Sequence, residues 1–187
     1  FKDLKSTYST GRQRKTEIRI FDDVDVKKVV VKNSKLYVNR EDGFIGTSLR
    51  REEYVEDCSD IDDIIVFTSN GDMIVTKVDS KKFVAKNILY VSVFKKRDSR
   101  TIYNMIYKEG KSGVSYIKRF NVTGVTRDKT YNLTSQNPKT KILHFSANPN
   151  GEAEIVTIQL RQSGSIKKLK WDLDFADLAI KGRSVKG

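Results

Sequence analysis

A unit of about forty residues recurs along this chain, in the period range of stacked repeat architectures. Each copy is a short apolar run, a turn carrying Gly or Asn, and an alternating strand that often holds Lys or Arg. Residues 64–77, 106–119 and 142–157 are the three clear copies, and residues 29–38 form a shorter, degenerate fourth around Asn33-Ser34. The turn glycines Gly71, Gly113 and Gly151 lie 42 and 38 residues apart. A unit this small cannot bury its own faces, so neighbouring units must supply the rest of the core. The expected fold is therefore all-β, a propeller-like array of blades with several strands each.

Residue usage agrees with strands. Proline occurs twice, and Val, Ile, Thr, Tyr and Phe dominate the ordered stretches, a β-favouring mixture. Alternation or short apolar blocks predict strands at 28–31, 36–38, 64–67, 73–78, 88–94, 102–107, 114–120, 142–145 and 154–160. Residues 1–20 scatter Lys2, Lys5, Arg12, Arg14 and Lys15 among Ser, Thr and Gly and read as a linker. Residues 21–187 read as one domain of about four blades. The stretch from Ser163 to Gly187 resembles half a blade, which suggests a piece of a longer protein. No apolar run approaches the roughly 20 residues needed to span a bilayer, so no membrane partner is expected.

The only cysteine is Cys58 and the only histidine His144, which excludes an intramolecular disulfide and a Cys/His zinc site. A reducing, cytoplasmic setting fits. The two Asn-X-Thr matches, at Asn121 and Asn132, read as chance. No nucleophile and base pattern accompanies His144, and Gly110-Lys111-Ser112-Gly113 lacks the first glycine of a phosphate loop, so it reads as a turn. No catalytic residue and no metal site is expected.

Charge supplies the functional signal. The net charge is +12, which makes a polyanion the first partner to consider. Residues 1–63 hold 13 Lys/Arg against 14 Asp/Glu, whereas residues 64–187 hold 23 against 10. The candidates for a phosphate-tracking surface are Lys95, Lys96, Arg97 and Arg100; Lys118 and Arg119; Arg127 and Lys129; Lys167, Lys168 and Lys170; and Lys181, Arg183 and Lys186. The acidic run of Glu52, Glu53, Glu56, Asp57, Asp60, Asp62 and Asp63 reads either as a solvated loop or as a competitor of DNA for the basic face. The aromatics, Trp171 among them, read as core rather than as base-stacking platforms.

Two strings carry a family resemblance. Residues 4–18, with Tyr8, Gly11 and Arg14-Lys15-Thr16-Glu17-Ile18, resemble the segment that follows the breakage-reunion core in the A subunit of bacterial type II topoisomerases, DNA gyrase and topoisomerase IV. Phe67-Thr68-Ser69-Asn70-Gly71 and Tyr116-Ile117-Lys118-Arg119 resemble the repeated strings of that subunit's C-terminal domain. The resemblance implies a β-pinwheel of four-stranded blades, here partial, that binds and bends duplex DNA without catalysis of its own. It further implies a parent protein that uses ATP and Mg through other domains or subunits and pairs with a topoisomerase B subunit. The family's DNA-cleaving tyrosine lies upstream, so Tyr8 is not it. Gyrase's Gln-Arg-Arg-Gly-Gly-Arg-Gly box is absent, residues 181–187 being a degenerate version at best. That departure favours a topoisomerase IV-like subunit over a gyrase-type wrapping domain. A protein-interaction scaffold with a basic face and an RNA-binding propeller remain the other readings.

Overall fold

The structure, a computed structural model, describes residues 2–8, 32–135, 137–164 and 167–187. The chain divides into two units, Phe1–Val31 and Lys32–Gly187. In the first, a short helix α1 (Lys2–Tyr8) stands where the composition suggested a linker. Ser6 and Thr7 hydroxyls donate back to the Asp3 carbonyl. The strand expected at 28–31 and the basic residues Arg12, Arg14 and Lys15 lie outside the described residues. No described helix is long and apolar enough to cross a membrane.

The second unit is built of strands: β1 (Ser34–Asn39), β2 (Phe44–Gly46), β3 (Glu53–Cys58), β4 (Asp63–Thr68), β5 (Asp72–Lys77), β6 (Lys82–Phe83), β7 (Ile88–Phe94), β8 (Ile102–Lys108), β9 (Ser115–Asn121), β10 (Thr130–Asn132), β11 (Lys141–Asn148), β12 (Ile155–Gln159), β13 (Lys170–Asp174) and β14 (Ile180–Gly182). They form three four-stranded sheets, ordered β3-β1-β2-β6, β10-β5-β4-β7 and β11-β8-β9-β14, and a two-stranded hairpin, β12-β13. An all-β blade array is thus what the chain builds.

One rule generates all three complete blades. A hairpin (β1-β2, β4-β5, β8-β9) takes an outer strand on its first member (β3, β7, β11). It takes a fourth strand on its second member from chain that follows the next hairpin (β6, β10, β14). Neighbouring blades therefore exchange a strand. The exchanged strand runs antiparallel in the first two blades and parallel in the third.

Strand β4 shows why the array coheres. Its sequence, Asp-Ile-Ile-Val-Phe-Thr, is buried at five successive positions, because side chains alternate across a strand and both faces are covered. Ile64 and Val66 join Leu36, Val38, Ile45 and Cys58 in a core shared with the first blade. Ile65 and Phe67 join Tyr103, Met105, Tyr107 and Phe120 in a core shared with the third. Phe67 also packs against Tyr103 and Phe145 at ring separations of 4.9 and 4.7 Å.

The joint between the third blade and the β12-β13 hairpin is polar instead. Glu154 accepts hydrogen bonds from Asn104 (3.0 Å) and Ser146 and contacts His144 Nε2 at 3.0 Å. His144 is thus a structural partner of a carboxylate.

Two expectations about the repeats change. The β4-β5 and β8-β9 hairpins are the first two copies. The third copy, 142–157, is not a hairpin: its halves are β11 and β12, in different sheets. The first blade's turn lies at Asn39–Phe44 around Gly43 rather than at Asn33-Ser34. Gly43 has φ +82°, and a Cβ there would sit 2.2 Å from the Ala85 carbonyl, so only glycine fits.

Because Phe67 serves a core that two blades share, Phe67→Ala is expected to cost about 3–5 kcal/mol. Urea denaturation should show one transition at a lowered midpoint, since both blades lose the same contact.

Candidate nucleic-acid interface

The connections that carry the chain between blades also carry much of the exposed basic charge. The β7-β8 connection holds Lys95, Lys96, Arg97 and Arg100, all exposed or half-exposed. It is a tight turn in which the Asp98 carboxylate accepts from the Arg100 N–H (2.9 Å) and the Thr101 hydroxyl (2.9 Å). Those bonds, the Arg100 amide's first, hold its pKa below the usual carboxylate range. Arg97 sits at φ +65°, a strained position for a residue with a side chain. Its N–H donates to the Thr123 carbonyl at 3.0 Å, which joins this turn to the β9-β10 connection.

That second connection holds Arg127 and Lys129. Arg127 forms a two-point ion pair with Asp63 (2.7 and 3.1 Å). Asp128 accepts from Lys82 Nζ (2.7 Å) and from the Thr76 hydroxyl (2.6 Å). The segment after β14 closes the group. Arg183 donates to the Gly124 carbonyl at 2.6 Å, and its guanidinium lies 4.5 Å from the Tyr131 ring centre. Lys129 reaches the same ring at 5.5 Å. Lys95, Lys96, Arg97, Arg100, Arg127, Lys129 and Arg183 thus come together at one end of the second and third blades. Lys82 joins them, as do exposed Lys77 and Lys81 at the end of β5 and just after it. Sequence reasoning missed these three, because only the register of β5 and β6 brings them to the rim.

Other candidates belong elsewhere. Lys118 is 3% exposed, and its ammonium donates to the carbonyls of Leu133, Arg183 and Val185, each at 2.8 Å. All three N–H donors of a lysine are thereby used. Burial pulls its pKa down to about 8, while the three carbonyl oxygens favour the charged form. Arg119 is 9% exposed and donates to the Gly151 carbonyl (2.8 Å) and, at 3.4 Å, to that of Phe175. Both residues hold the fold, so their charge cannot face a phosphate. The Tyr-Ile-Lys-Arg string is a structural latch.

Lys186 lies at the far end of β8 and β9, over the Tyr116 ring at 4.5 Å and 3.0 Å from Glu109. Lys181 is exposed on β14 beside Phe120. Lys170 begins β13, and Lys167 and Lys168 are exposed in the connection before it.

Part of the acidic run is a strand, β3, and three of its acids are tied to neighbouring elements, while Glu52, Asp57 and Asp60 are exposed. Glu53 pairs with Arg40 (2.7 and 2.7 Å), which also donates to the Leu89 carbonyl. Glu56 accepts from the Ser92 hydroxyl and the Val93 N–H (2.8 and 2.7 Å). These acids join β3 of the first blade to β7 of the second, and Asp63 anchors Arg127. Among the described residues, no three His, Cys, Asp or Glu side chains converge as a metal site requires.

Comparison with known proteins places this geometry in context. A family model described as the topoisomerase C-terminal domain of Bacteroidota matches residues 35–187. The A subunit of DNA topoisomerase 4 from Borreliella burgdorferi is 33% identical over 147 residues, 78% of this chain and 23% of that protein. The chain thus spans about a quarter of the length of that relative. No solved structure matches.

Latch and rim residues should respond differently to substitution. Lys118→Met leaves the buried Leu133 carbonyl and the half-buried Arg183 and Val185 carbonyls without their donor; at up to about 1–3 kcal/mol for a buried group, denaturant unfolding should show a clear loss of stability. Lys96→Ala on the rim should change stability by less than about 0.5 kcal/mol. Glu109, which accepts hydrogen bonds from Ser112, Asn137 and Lys186, has its pKa lowered to about 2, the Ser112 hydroxyl being the largest cause. Its stabilisation is present above pH 4.5, the ordinary glutamate value, and is lost as pH falls through about 2. An acid titration should show this step in the native chain, and Glu109→Gln should flatten it.

Proposed function

Because the chain belongs to the topoisomerase C-terminal domain family and is the C-terminal domain of a type II topoisomerase A subunit, we propose that its basic rim binds and bends duplex DNA through the phosphate backbone. The observation that carries the proposal is the convergence of Lys95, Lys96, Arg97, Arg100, Lys129 and Arg183 from three separate connections onto one end of the blades. Cations spread along a rim follow a curved polyanion and release its counterions without reading bases. Smooth bending of a site costs on the order of 1–6 kcal/mol, which several such contacts offset.

The strand exchange between blades supports the β-pinwheel reading. The missing glycine-arginine box, together with the printed name of the Borreliella burgdorferi relative, supports a topoisomerase IV-like task over gyrase-type wrapping. In this reading the domain is non-catalytic and presents a DNA segment for ATP-dependent strand passage in the bacterial cytoplasm. ATP, Mg, the cleaving tyrosine and the contact with the B subunit belong to other parts of the parent protein.

Duplex affinity measured against salt tests the proposal. The log-log slope should be steep, roughly −0.9 per neutralised phosphate. Reversing Lys95, Lys96 and Arg100 together to Glu should lower affinity more than about tenfold and make the slope shallower by about three phosphates' worth. Unchanged DNA binding in that variant would transfer the rim to the protein-scaffold reading.

A further inference from the structure

Phe83 is an aromatic ring that the core does not claim. It lies on β6, the exchanged edge strand of the first blade, and is 54% exposed. Its backbone pairs with Phe44 of β2, and the two rings meet edge to face at 5.5 Å. The platform is held firmly. Val84 N–H donates to the Gly43 carbonyl at 2.9 Å, Thr47 and Ser48 donate to the carbonyls of Asp79 and Ser80, and a Cβ at Gly46 would collide with the Ser80 carbonyl at 2.2 Å. Lysines flank the strand: Lys81 lies over the partner ring Phe44 at 4.6 Å, Lys82 is bound to Asp128 from the other face, and Lys86 follows three residues after Phe83.

The lysines single this ring out. Tyr54, comparably exposed, donates its hydroxyl to Asp57 among the acids of β3, where a polyanion is repelled. Phe83 faces away from Lys82, whose ammonium bonds to Asp128 on the opposite side of β6; the cation on the ring's own side is Lys81, which lies over the Phe44 ring that Phe83 packs against. An exposed ring fixed beside lysines has the chemistry of a base-stacking platform or wedge.

We infer that Phe83 stacks on a nucleobase exposed at an unstacked step of the bound DNA. The inference rests on the DNA-binding reading above. It adds that the rim distinguishes distorted from regular duplex, with lysines holding the phosphates and the ring taking the base.

The test uses the full chain and two probes, a regular duplex and the same duplex with a bulge carrying a fluorescent adenine analogue. The native chain should prefer the bulged duplex and change the analogue's emission. Phe83→Leu, which keeps apolar bulk against Phe44 without a π face, should lose that preference, about tenfold or ~1.4 kcal/mol. Its affinity for the regular duplex and its salt slope should stay unchanged. Phe83→Trp should restore the preference, and Phe83→Ala checks that the loss tracks the ring. Equal binding of the bulged duplex by Phe83→Leu and the native chain overturns the inference and leaves the phosphate reading standing. Failure of the native chain to bind the regular duplex overturns both.

Discussion

Each complete blade of this domain lacks a strand that its own stretch of chain does not provide. The fourth strand arrives from beyond the next hairpin, as β6, β10 and β14 do. A sheet left with three strands exposes a row of unpaired N–H and C=O groups, and a lone hairpin is marginal in water. Exchange addresses both problems, and it makes each blade's completion depend on the folding of its neighbour. The alternating burial of β4 adds to this dependence, since Ile64 and Val66 serve one core and Ile65 and Phe67 the other.

The same connections decide where the charge goes. A strand that crosses from one blade to another needs a loop at the blade ends, and such loops stay in solvent where Lys and Arg are well hydrated. Lys95–Arg100, Arg127–Lys129 and Arg183 therefore gather at one end. Where a cation meets the exchanged segments inside the fold, it becomes a tie. The Lys118 ammonium satisfies carbonyls of the segment after β10 and of the tail after β14, and Arg119 holds the loop before β12. The polar joint around Asn104, His144 and Glu154 does by hydrogen bonds what apolar packing does between the first three blades.

Some of this was readable from residues alone. Strand β7 falls at 88–94 as expected, and β4, β5, β8 and β9 are displaced by one residue at most at either end, because each is rich in β-branched or aromatic residues. The short strands β2, β6, β10 and β14 were not readable, since two or three residues carry no period. Strand β3 was hidden for another reason: its acids looked like a loop until Arg40, Ser92 and Val93 were seen to hold Glu53 and Glu56. The cluster at Lys95–Arg100 was legible as a site because four cations fall within six residues. Lys77, Lys81, Lys82 and Phe83 were not, since their membership depends on cross-strand register.

The sequence by itself determined the class of the fold and the sign of the surface charge. A repeat too small to bury its faces forces stacked β-units, and an excess of Lys and Arg after residue 63 forces a basic surface. It could not determine which lysine faces solvent. Lys96 and Lys118 have the same side chain in similar company, strand-rich and next to Arg. Their difference arises only when β14 crosses to the third blade and its tail lays two carbonyls over Lys118. That placement is a contact across more than sixty residues of chain, and tertiary structure alone decides it.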